Sequence, residues 1–572
     1  MNVLDWLRQA FAAATPAGGN PEAFAAAVRL STDSKFGDYQ ANGCMALAKA
    51  QKKNPRDLAQ EVAGKVVLSP VAGAPEIAGP GFLNVKLEDP WVANILRDLV
   101  ADESLGIEPI PRAKTVVIDY SSPNVAKPMH VGHIRSTVIG ESLARILTAV
   151  GHKVIRDNHL GDWGSQFGMI LWGWKHHRDE AAFEADPVHE LSRLYRLAQA
   201  KIQVGEEGVE EATRAETAKL HAGDEENRAL WTRFMPYCLK ALEAVYERLD
   251  VRFDYELGES FYDPMLAEVV SDLEKKGFAV ESDGATVVFV DGIKAPFIIR
   301  KRDGAYNYAT TDLATIKYRI DTWKADQALY VVDSRQGDHF KQLFAVAKQW
   351  GYDKIDLEHV AFGSILGKDR RPFKTRAGDV VGLESLLDEA AAEARKVVDE
   401  NSPHLDEAER ARVAEVVGLG AIKYADLSQN RLSDYVFDWQ KMLAMNGNTG
   451  AYLQYAYARI QSIFRKGEIS PDSIRQARPV ILLSNPAERA LGVRLLRLPE
   501  TLRLAAEEHK ANVLTDYLFD LANAFSSFFE ECPVLKAEST ERRDSRLALC
   551  DLTARTLKFG LNLLGIDVVE RM

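Results

Sequence analysis

Cysteine and long apolar runs are scarce in this chain, and positive charge is outnumbered by negative charge. The four cysteines, Cys44, Cys238, Cys532 and Cys550, lie far apart and form no C-x-x-C pair. This spacing excludes the usual zinc-site pattern and a disulfide framework, and it favours a reducing compartment. No run approaches about 18 uninterrupted apolar residues, so the sequence predicts no membrane span.

The formal net charge of −12 argues against indiscriminate polyanion binding but allows a local basic groove. The N-terminal stretch is apolar, yet Asp5 and Arg8 interrupt it and no basic segment precedes it. It therefore does not predict a signal peptide, and we expect a cytoplasmic protein. The length of 572 residues predicts three or four domains with ordinary cores.

The stretch 121–147, SSPNVAKPMHVGHIRSTVIGESLARIL, follows the strand-like run VVIDY. Apolar residues then recur at helical spacing, so the chain is predicted to turn from strand into helix. His130 and His133 fall at the first helical turn, where free backbone N–H groups and a partial positive charge favour phosphate. Gly132 between them leaves no side chain to block a ligand, and Lys127 adds a cation. This pattern predicts a nucleotide site.

Two later loops carry further candidates. The run DNHLGDWGSQFG, with Gly161, Asp162 and Gly164, follows a second strand and is typical of backbone approaching a ligand at the edge of a parallel sheet. The run ALYVVDSRQGDHF places Gln336 and His339 after another buried strand, where open α/β sheets bind ligands.

The segment DGAYNYATTDLATIKYR carries Tyr308 and Asp312, four residues apart, and predicts one shared helical face if the helix has begun. A carboxylate beside a phenol suits a cationic head group, and a planar guanidinium takes two hydrogen bonds from one carboxylate. An N-terminal helix charge with core tyrosines is the alternative. In FGSILGKDRRPFKTRAGD, five cations including Lys368 and Lys374 occupy nine residues, which predicts either closure over a leaving pyrophosphate or a solvated basic loop.

Aromatic and amide groups in FGDYQAN, namely Phe36, Tyr39, Gln40 and Asn42, could stack on bases and bond to them, although an ordinary turn explains them equally well. From 383 onward the pattern is nearly all helical. Over 451–572 there are 17 Lys and Arg against 16 Asp and Glu, so this region is basic relative to the whole chain. This region predicts either an aromatic and basic surface formed by Tyr452, Tyr455, Tyr457 and Arg459, or a packed helical bundle with solvated charges.

Along nearly its whole length the chain resembles the arginyl-tRNA synthetases, which are class I aminoacyl-tRNA synthetases. The resemblance lies in SSPNVAKPMHVGH, DNHLGDWGSQFG, YNYATTDLATIKYR, SRQGDHFKQ, GKDRRPFKTRAGD and TGAYLQYAYARI. The first is similar to the H-I-G-H signature, with Val131 in place of Ile. The second class I signature, K-M-S-K-S, is absent as written, and GKDRRPFKTR stands in its expected place.

The resemblance implies a multidomain α/β and α fold: an α+β N-terminal domain over 1–108 that contacts the tRNA elbow, a Rossmann-like catalytic domain over 112–395 with a helical insertion at 178–250, a helical stem-contact region over 396–446 and a helical anticodon-binding domain over 447–572. It implies that Phe36, Tyr39, Gln40, Asn42, Tyr452, Tyr455, Tyr457 and Arg459 contact tRNA.

Site roles also follow from the resemblance. Catalysis is assigned to His130, His133, Lys127 and either Lys368 or Lys374. ATP binding is assigned to Pro123, Met129, His130, Val131, Gly132, His133, Gly161, Asp162, Gly164 and His339. Arginine binding is assigned to Asp119, Ser122, Asn124, Tyr308, Asp312 and Gln336.

The implied reaction joins arginine to the terminal adenosine of tRNA-Arg through an arginyl-adenylate. ATP with Mg²⁺ is a substrate, no tightly bound protein metal is expected, and a monomer without an obligate protein partner is the default. Two alternatives stay open. A small nucleotidylyltransferase shares the H-x-G-H pattern but lacks the helical tail, and a tRNA-binding paralogue would have lost catalysis.

Overall fold

The computed structural model describes residues 2–31, 33–373 and 381–572. Two compact units are present. The first contains Met1–Pro109, Val398–Val416 and Leu443–Met572, and the second contains Ile110–Val397 and Val417–Met442. Within the described ranges, no helix has the length and apolar character needed to cross a membrane.

The N-terminal part of the first unit is an α+β structure, as predicted. Its four strands form an antiparallel sheet in the order β1-β2-β4-β3. Asparagine side chains cap the first, second and fourth helices, which explains where these helices begin. The elements are α1 (Val3–Ala13), α2 (Pro21–Ala26), β1 (Val28–Leu30), β2 (Tyr39–Ala41), α3 (Gly43–Gln51), α4 (Pro55–Lys65), β3 (Glu76–Ala78), β4 (Phe82–Val85) and α5 (Asp89–Ala101).

The second unit alternates strands with helices. Its elements are β5 (Thr115–Asp119), α6 (Val131–Ala149), β6 (Lys153–Asp157), α7 (Ser165–His177), α8 (Glu180–Ala185), α9 (Pro187–Gln203), α10 (Val209–Ala222), α11 (Glu225–Arg248), α12 (Glu259–Tyr262), α13 (Leu266–Lys275), β7 (Ala279–Ser282), β8 (Ala285–Val288), β9 (Phe297–Arg300), α14 (Tyr308–Asp321), β10 (Gln327–Tyr330), α15 (Gly337–Trp350), β11 (Asp356–His359), β12 (Ile365–Leu366), α16 (Leu383–Asn401), α17 (Glu407–Leu427), β13 (Tyr435–Val436) and α18 (Trp439–Met442). The last turn of α16 and the first half of α17 belong to the first unit.

A parallel sheet forms the core of the second unit, in the order β11-β10-β5-β6. The strand order reverses between β5 and β10, because the chain runs from β5 outward to β6 and then returns to the other side. Such a switch point opens a crevice at the carboxyl ends of the two central strands, where doubly wound sheets bind ligands. The loop after β5 and the start of α6 that follows it carry the largest group of the predicted site residues.

Helices α8 to α11 occupy most of the predicted helical insertion. Strands β7, β8 and β9 form a separate antiparallel sheet, and β12 pairs with β13 in parallel.

The C-terminal part of the first unit is helical, as predicted. Thr449 and Ser539 cap the helices that begin after them. Apolar residues such as Leu514, Leu518, Phe525 and Leu557 are buried between the helices. The elements are α19 (Gly450–Gly467), α20 (Pro471–Ala477), α21 (Pro486–Leu495), α22 (Leu498–Glu507), α23 (Asn512–Glu531) and α24 (Thr540–Leu563).

Candidate active site

Two histidines build the start of α6, immediately after the loop that follows β5. His130 is the N-cap residue, and its Nδ1 accepts a hydrogen bond from the Gly132 amide at 3.1 Å. The Nδ1 atom of His133 accepts from the His130 amide at 3.0 Å, which completes a reciprocal capping box. Because both Nδ1 atoms are acceptors, the Nε2 atoms carry the hydrogens in the neutral rings.

Both imidazoles are held in the neutral form. Burial lowers the pKa of His130, and Lys127 lowers it further. Burial lowers the pKa of His133 to about 4, with His130 contributing. The ring centroids lie 3.9 Å apart, so the pair presents two N–H donors side by side at neutral pH. This arrangement suits oxygen atoms on which negative charge develops.

The requirement for glycine at position 132 has a local structural cause, which the sequence alone does not predict. A Cβ at this position would lie 2.8–2.9 Å from the ring atoms of His130. Glycine is therefore required for His130 to fold back over the helix start, whatever ligand binds there. Met129 and Val131 are buried on either side and join their backbones to the segment 381–383, through Leu383 N to Met129 O and Val131 N to Val381 O.

The candidate lysines differ in their surroundings. The ammonium group of Lys127 lies 5.3 Å from the centroid of the Tyr195 ring, beside the histidine pair. Lys368 is exposed, with Nζ 3.7 Å from Asp438 Oδ2. Lys374 lies outside the described residues, so the choice between Lys368 and Lys374 stays a prediction.

The glycine-containing loop after β6 packs on the loop after β5. Gly161 donates its amide to Pro123 O at 3.0 Å, and a Cβ on Gly161 would lie 3.2 Å from Asn124 Nδ2. Gly164 is the N-cap of α7, and a Cβ there would lie 2.8 Å from Gln166 Oε1. The glycines thus allow the two loops to pack closely on each other, and the approach of a ligand to this backbone stays a prediction.

Asp162 requires a correction. Its side chain is buried and accepts hydrogen bonds from both the amide and the hydroxyl of Ser260, at 2.9 and 2.5 Å. Burial raises the pKa of this carboxyl, and the two bonds from Ser260 oppose that rise. The carboxylate therefore anchors the segment that begins α12, and its prediction as an ATP-binding side chain is wrong.

The predicted guanidinium pair lies at the start of α14, at the same sheet edge. Tyr308 is the first residue of the helix and is 63% exposed. Asp312, one turn later, accepts a hydrogen bond from His339 Nε2 at 2.6 Å. The ring of Tyr308 lies 4.9 Å from that of His339, measured between centroids. These three side chains form one acidic and aromatic cluster, and Gln336 is exposed just before α15, which carries His339.

His339 lies next to the predicted guanidinium pair, and its role in ATP binding stays a prediction. Its imidazole lies against Asp312 and stacks on Phe297. This position orients the carboxylate of Asp312, and we therefore assign His339 to the cluster of Tyr308 and Asp312.

Asp119, at the end of β5, is almost completely buried. It accepts hydrogen bonds from Arg319 Nη2 at 2.6 Å and from the Ser122 hydroxyl at 2.8 Å. Burial is the largest influence and raises the pKa of this carboxyl, but the charges of Arg319 and His159 and the hydrogen bonds from Arg319 and Ser122 together outweigh it, so the net shift is downward. Asp119 already has a guanidinium partner within the chain, and it reaches the binding loop through Ser122.

Sequence reasoning missed two buried arginines. Arg319 bridges Asp119 and Asp157 beneath the sheet edge. Arg135, on α6, contacts Asp426 at 3.1 Å and donates to the backbone carbonyls of Arg431 and Ser433. Arg319 lies seven residues after Asp312, hence on the same helical face, and this spacing was the available signal.

Comparisons with known proteins agree with this geometry. The family description "tRNA synthetases class I (R), catalytic domain" matches residues 95–439. "DALR anticodon binding domain" matches 453–572, and "Arginyl tRNA synthetase N terminal domain" matches 2–87. The arginine–tRNA ligase of Shigella sonnei is 47% identical over 583 residues, with all of both chains covered. The chain belongs to the arginyl-tRNA synthetase family.

Solved structures of this family share the fold over the full length. The arginyl-tRNA synthetase of Plasmodium falciparum superposes with a TM-score of 0.84 at 28% identity, covering 100% of this chain and 99% of that chain. The Thermus thermophilus arginyl-tRNA synthetase gives a TM-score of 0.83 at 26% identity, with both chains fully covered. The multidomain fold predicted from the sequence is confirmed.

The N-terminal residues predicted to contact tRNA in an arginyl-tRNA synthetase differ in accessibility. Phe36 is 38% exposed, with the Lys35 ammonium 4.8 Å from its ring centroid. Gln40 is half-buried and donates to Asn84 Oδ1 at 2.8 Å, and Asn42 is half-buried at the N-cap of α3. Tyr39 is fully buried, and its hydroxyl donates to Glu500 at 3.0 Å. The prediction that Tyr39 stacks on a base is wrong because neither ring face is accessible.

The C-terminal residues lie on α19, where an arginyl-tRNA synthetase of this type has its anticodon-binding domain. Tyr455 is 38% exposed, and the Arg459 guanidinium lies 4.2 Å from the Phe529 ring centroid. Both line a cavity of about 800 Å³ whose wall also carries Arg465, Lys466, Lys536 and Arg571. Tyr452 is half-buried, with its hydroxyl 3.2 Å from both Asn523 and Ser526 side chains.

Tyr457 needs the same correction as Tyr39. It is 4% exposed, and its hydroxyl donates to Glu570 at 2.9 Å. The helical period explains the difference, since positions 452, 455 and 459 share a face and position 457 points into the bundle.

Proposed function

We propose that this protein activates L-arginine with MgATP and transfers the arginyl group to the 3′-terminal adenosine of tRNA-Arg. The observation that carries the proposal is the gathering of two neutral histidines and the Asp312 carboxylate around one switch point of a parallel sheet. Membership in the arginyl-tRNA synthetase family supports the same reaction.

In the first step the arginine carboxylate attacks the α-phosphorus of MgATP, and pyrophosphate leaves. His130 and His133 donate Nε2–H groups to oxygens on which charge develops, and the adjacent helix start adds its partial positive charge. Lys127 supplies a fixed cation beside them, with Lys368 or Lys374 acting toward the pyrophosphate. The ATP-binding set is Pro123, Met129, Val131, Gly132, Gly161 and Gly164.

Mg²⁺ enters as part of the nucleotide substrate. Among the residues that the structure describes, no group of three or more His, Cys, Asp or Glu side chains is arranged to hold a metal ion. Positioning and hydrogen bonding are the contributions to catalysis that we assign to the side chains and backbone of this chain.

Selection of arginine is assigned to Asp312, with Tyr308 beside it and His339 behind it. A carboxylate held by His339 offers its other oxygen and lone pairs to a planar guanidinium, and the lysine ammonium group does not match this fork. Asn124, Ser122 and Gln336 complete the amino-acid site, and Asp119 supports it from below through Ser122.

In the second step a ribose hydroxyl of the terminal adenosine attacks the adenylate carbonyl, and AMP leaves. Contacts to the tRNA are assigned to Phe36, Gln40 and Asn42 in the N-terminal domain (1–108), and to Tyr452, Tyr455 and Arg459 in the C-terminal domain (447–572). Residues 112–395 are assigned to catalysis and 396–446 to contact with a stem of the tRNA. A monomer in the cytoplasm is the working state that we propose.

The test is arginine-dependent ATP–pyrophosphate exchange, with and without tRNA-Arg, using lysine and citrulline as controls. Exchange with arginine, in the presence of tRNA or without it, is the expected result, and exchange only with tRNA would show that tRNA completes the site. No exchange under both conditions, with tRNA still bound, would favour a tRNA-binding paralogue and refute the proposal.

A further inference from the structure

Arg319 is a fully buried arginine that the proposed reaction does not use. It lies on α14, two helical turns after Asp312 and on the same face as Tyr308 and Asp312. Its guanidinium is 5.1 Å from the Tyr330 ring centroid, beneath the carboxyl end of β10. The helix that carries the guanidinium-reading pair therefore also sends a cation under the sheet edge.

Two aspartates share this cation. Arg319 Nη2 donates to Asp119 and to Asp157, both at 2.6 Å, and Nε donates to Asp157 at 3.1 Å. Asp119 and Asp157 are the last residues of β5 and β6 and are directly paired in the parallel register. Two buried carboxylates so placed repel each other unless a cation lies between them. Arg319 therefore fixes the rotamer and the ionised state of Asp119.

From Asp119 the network continues into the loop that binds the amino acid. The Ser122 hydroxyl donates to Asp119 at 2.8 Å, and the Ser122 amide donates to Asn158 Oδ1 at 3.1 Å. Ser121 and Ser122 have φ angles of 67° and 45°, a left-handed conformation that is unfavourable for residues other than glycine. Two such residues in succession persist only where surrounding bonds determine them.

Ser121 has its own set of bonds, which do not involve Arg319. Its amide donates to Ser136 Oγ at 2.9 Å, and its hydroxyl lies 2.8 Å from Tyr246 OH. Ser122 is held by its bonds to Asp119 and Asn158 and by the bond from its amide to the Tyr120 carbonyl at 2.9 Å, and the bond to Asp119 is the one that depends on Arg319. Pro123 and Asn124 follow directly, so a change in the backbone conformation of Ser122 displaces Asn124, which is assigned to substrate binding.

We infer that Arg319 is a positioning residue for arginine binding, acting through Asp119 and Ser122 on the loop that carries Asn124. It does not touch the substrate. The inference rests on the proposed function, because the substrate of that loop is taken to be arginine. It also explains why α14 carries both Asp312 and Arg319. Asp312 lies in the proposed guanidinium pocket and Arg319 holds the loop, so one helix positions both parts of the arginine site.

The test compares R319M, R319K and the control K317M in arginine-dependent ATP–pyrophosphate exchange, measured with tRNA-Arg. Lys317 lies on the same helix and bonds to Asp321 at the surface, so K317M controls for a lost ion pair on α14. R319M is expected to raise the arginine KM by about tenfold or more, the loss of one charge-assisted hydrogen bond, with the ATP KM within about threefold. R319K keeps the charge but not the fork, and about a threefold rise in arginine KM is expected.

A double-mutant cycle with S122A tests the route. If Arg319 acts through Asp119 and Ser122, the effects of R319M and S122A on the arginine KM are less than additive. Full additivity, equal rises in the arginine and ATP KM values, or an unchanged arginine KM in folded R319M would overturn the inference. If R319M does not fold, R319K decides, and an unchanged arginine KM in it overturns the inference. Absence of arginine-dependent exchange in the unmodified protein would instead refute the proposed function.

Discussion

Replacement of Asp312 by asparagine removes one negative charge from the proposed guanidinium site and keeps the shape of the side chain. Asp312 accepts a 2.6 Å bond from His339 and is 25% exposed on its side chain, so the site is partly screened by water. Losing one partner of a hydrogen-bonded charge pair costs about 2–5 kcal/mol when the pair is buried. Partial exposure favours the lower part of this range, about 2–4 kcal/mol. We therefore expect kcat/KM for arginine to fall about 30- to 700-fold, since 1.4 kcal/mol corresponds to about tenfold.

The assay for D312N is arginine-dependent ATP–pyrophosphate exchange at saturating ATP and tRNA-Arg. D321N is the matched control, because Asp321 ends the same helix and pairs with Lys317 at the surface. The rise should appear mainly in the arginine KM, and the preference for arginine over citrulline should shrink because asparagine no longer requires a cation. Arginine kinetics equal to those of D321N would remove Asp312 from the substrate site.

Three further predictions concern buried charged and titratable groups. Burial lowers the pKa of His133 to about 4, so adenylate formation should lose no activity through protonation of this ring until the pH falls below about 5; an acid limb near pH 6.5 that H133N abolishes would contradict this. R135M leaves the Asp426 carboxylate buried without its cationic partner and should lower the free energy of unfolding in urea by about 3–5 kcal/mol. The control R214M, at an exposed pair with Glu210, should lower it by under about 1 kcal/mol. Equal losses would refute the assignment of Arg135 to a stabilising buried ion pair. Burial raises the pKa of Glu500 to about 7, so its contribution to stability is complete below its unfolded pKa of 4.5 and is lost as the pH rises through 7. E500Q should therefore flatten the fall of Tm between pH 5 and 8. An unchanged slope of Tm against pH would contradict this role of Glu500.

The parts of the fold that follow a clear period were predictable from the sequence. The β-branched run before Ser121 locates β5 to within a residue, and the helical spacing that follows correctly predicts a helix with His130 and His133 at its start. Both ends of β5 lie one residue before those of the predicted run, because terminal pairing depends on neighbouring strands that a linear pattern does not specify. The face shared by Tyr308 and Asp312 also followed from spacing alone.

Burial of polar and aromatic residues was not predictable in the same way. Tyr39 and Tyr457 lie in segments whose aromatic, amide and basic residues are typical of a base-stacking surface. In the structure their hydroxyl groups bond to Glu500 and Glu570, which are distant in sequence, and both side chains lie in the interior. The sequence places Asp162 in a loop predicted to bind a ligand. In the structure both of its carboxylate oxygens accept hydrogen bonds from Ser260, which lies 98 positions later. Such partners are set by tertiary contacts, for which a single sequence gives no signal.

Buried arginines show the same limit from the other direction. Arg135 and Arg319 resemble ordinary helix-surface residues in the sequence, and arginine is rarely fully buried. Their roles emerge only when Asp426, Asp119 and Asp157 are found around them. Candidate binding residues can therefore be proposed from sequence patterns, whereas the buried arginines that position them cannot.

Aminoacylation of tRNA-Arg with labelled arginine tests the central claim most directly, because it requires both chemical steps and the correct tRNA. The unmodified protein is expected to charge tRNA-Arg in the presence of MgATP, with lysine and citrulline giving no product, and D312N is expected to need far more arginine. A protein that binds tRNA-Arg but charges it with no amino acid, or one that charges it equally well with lysine, would contradict the account.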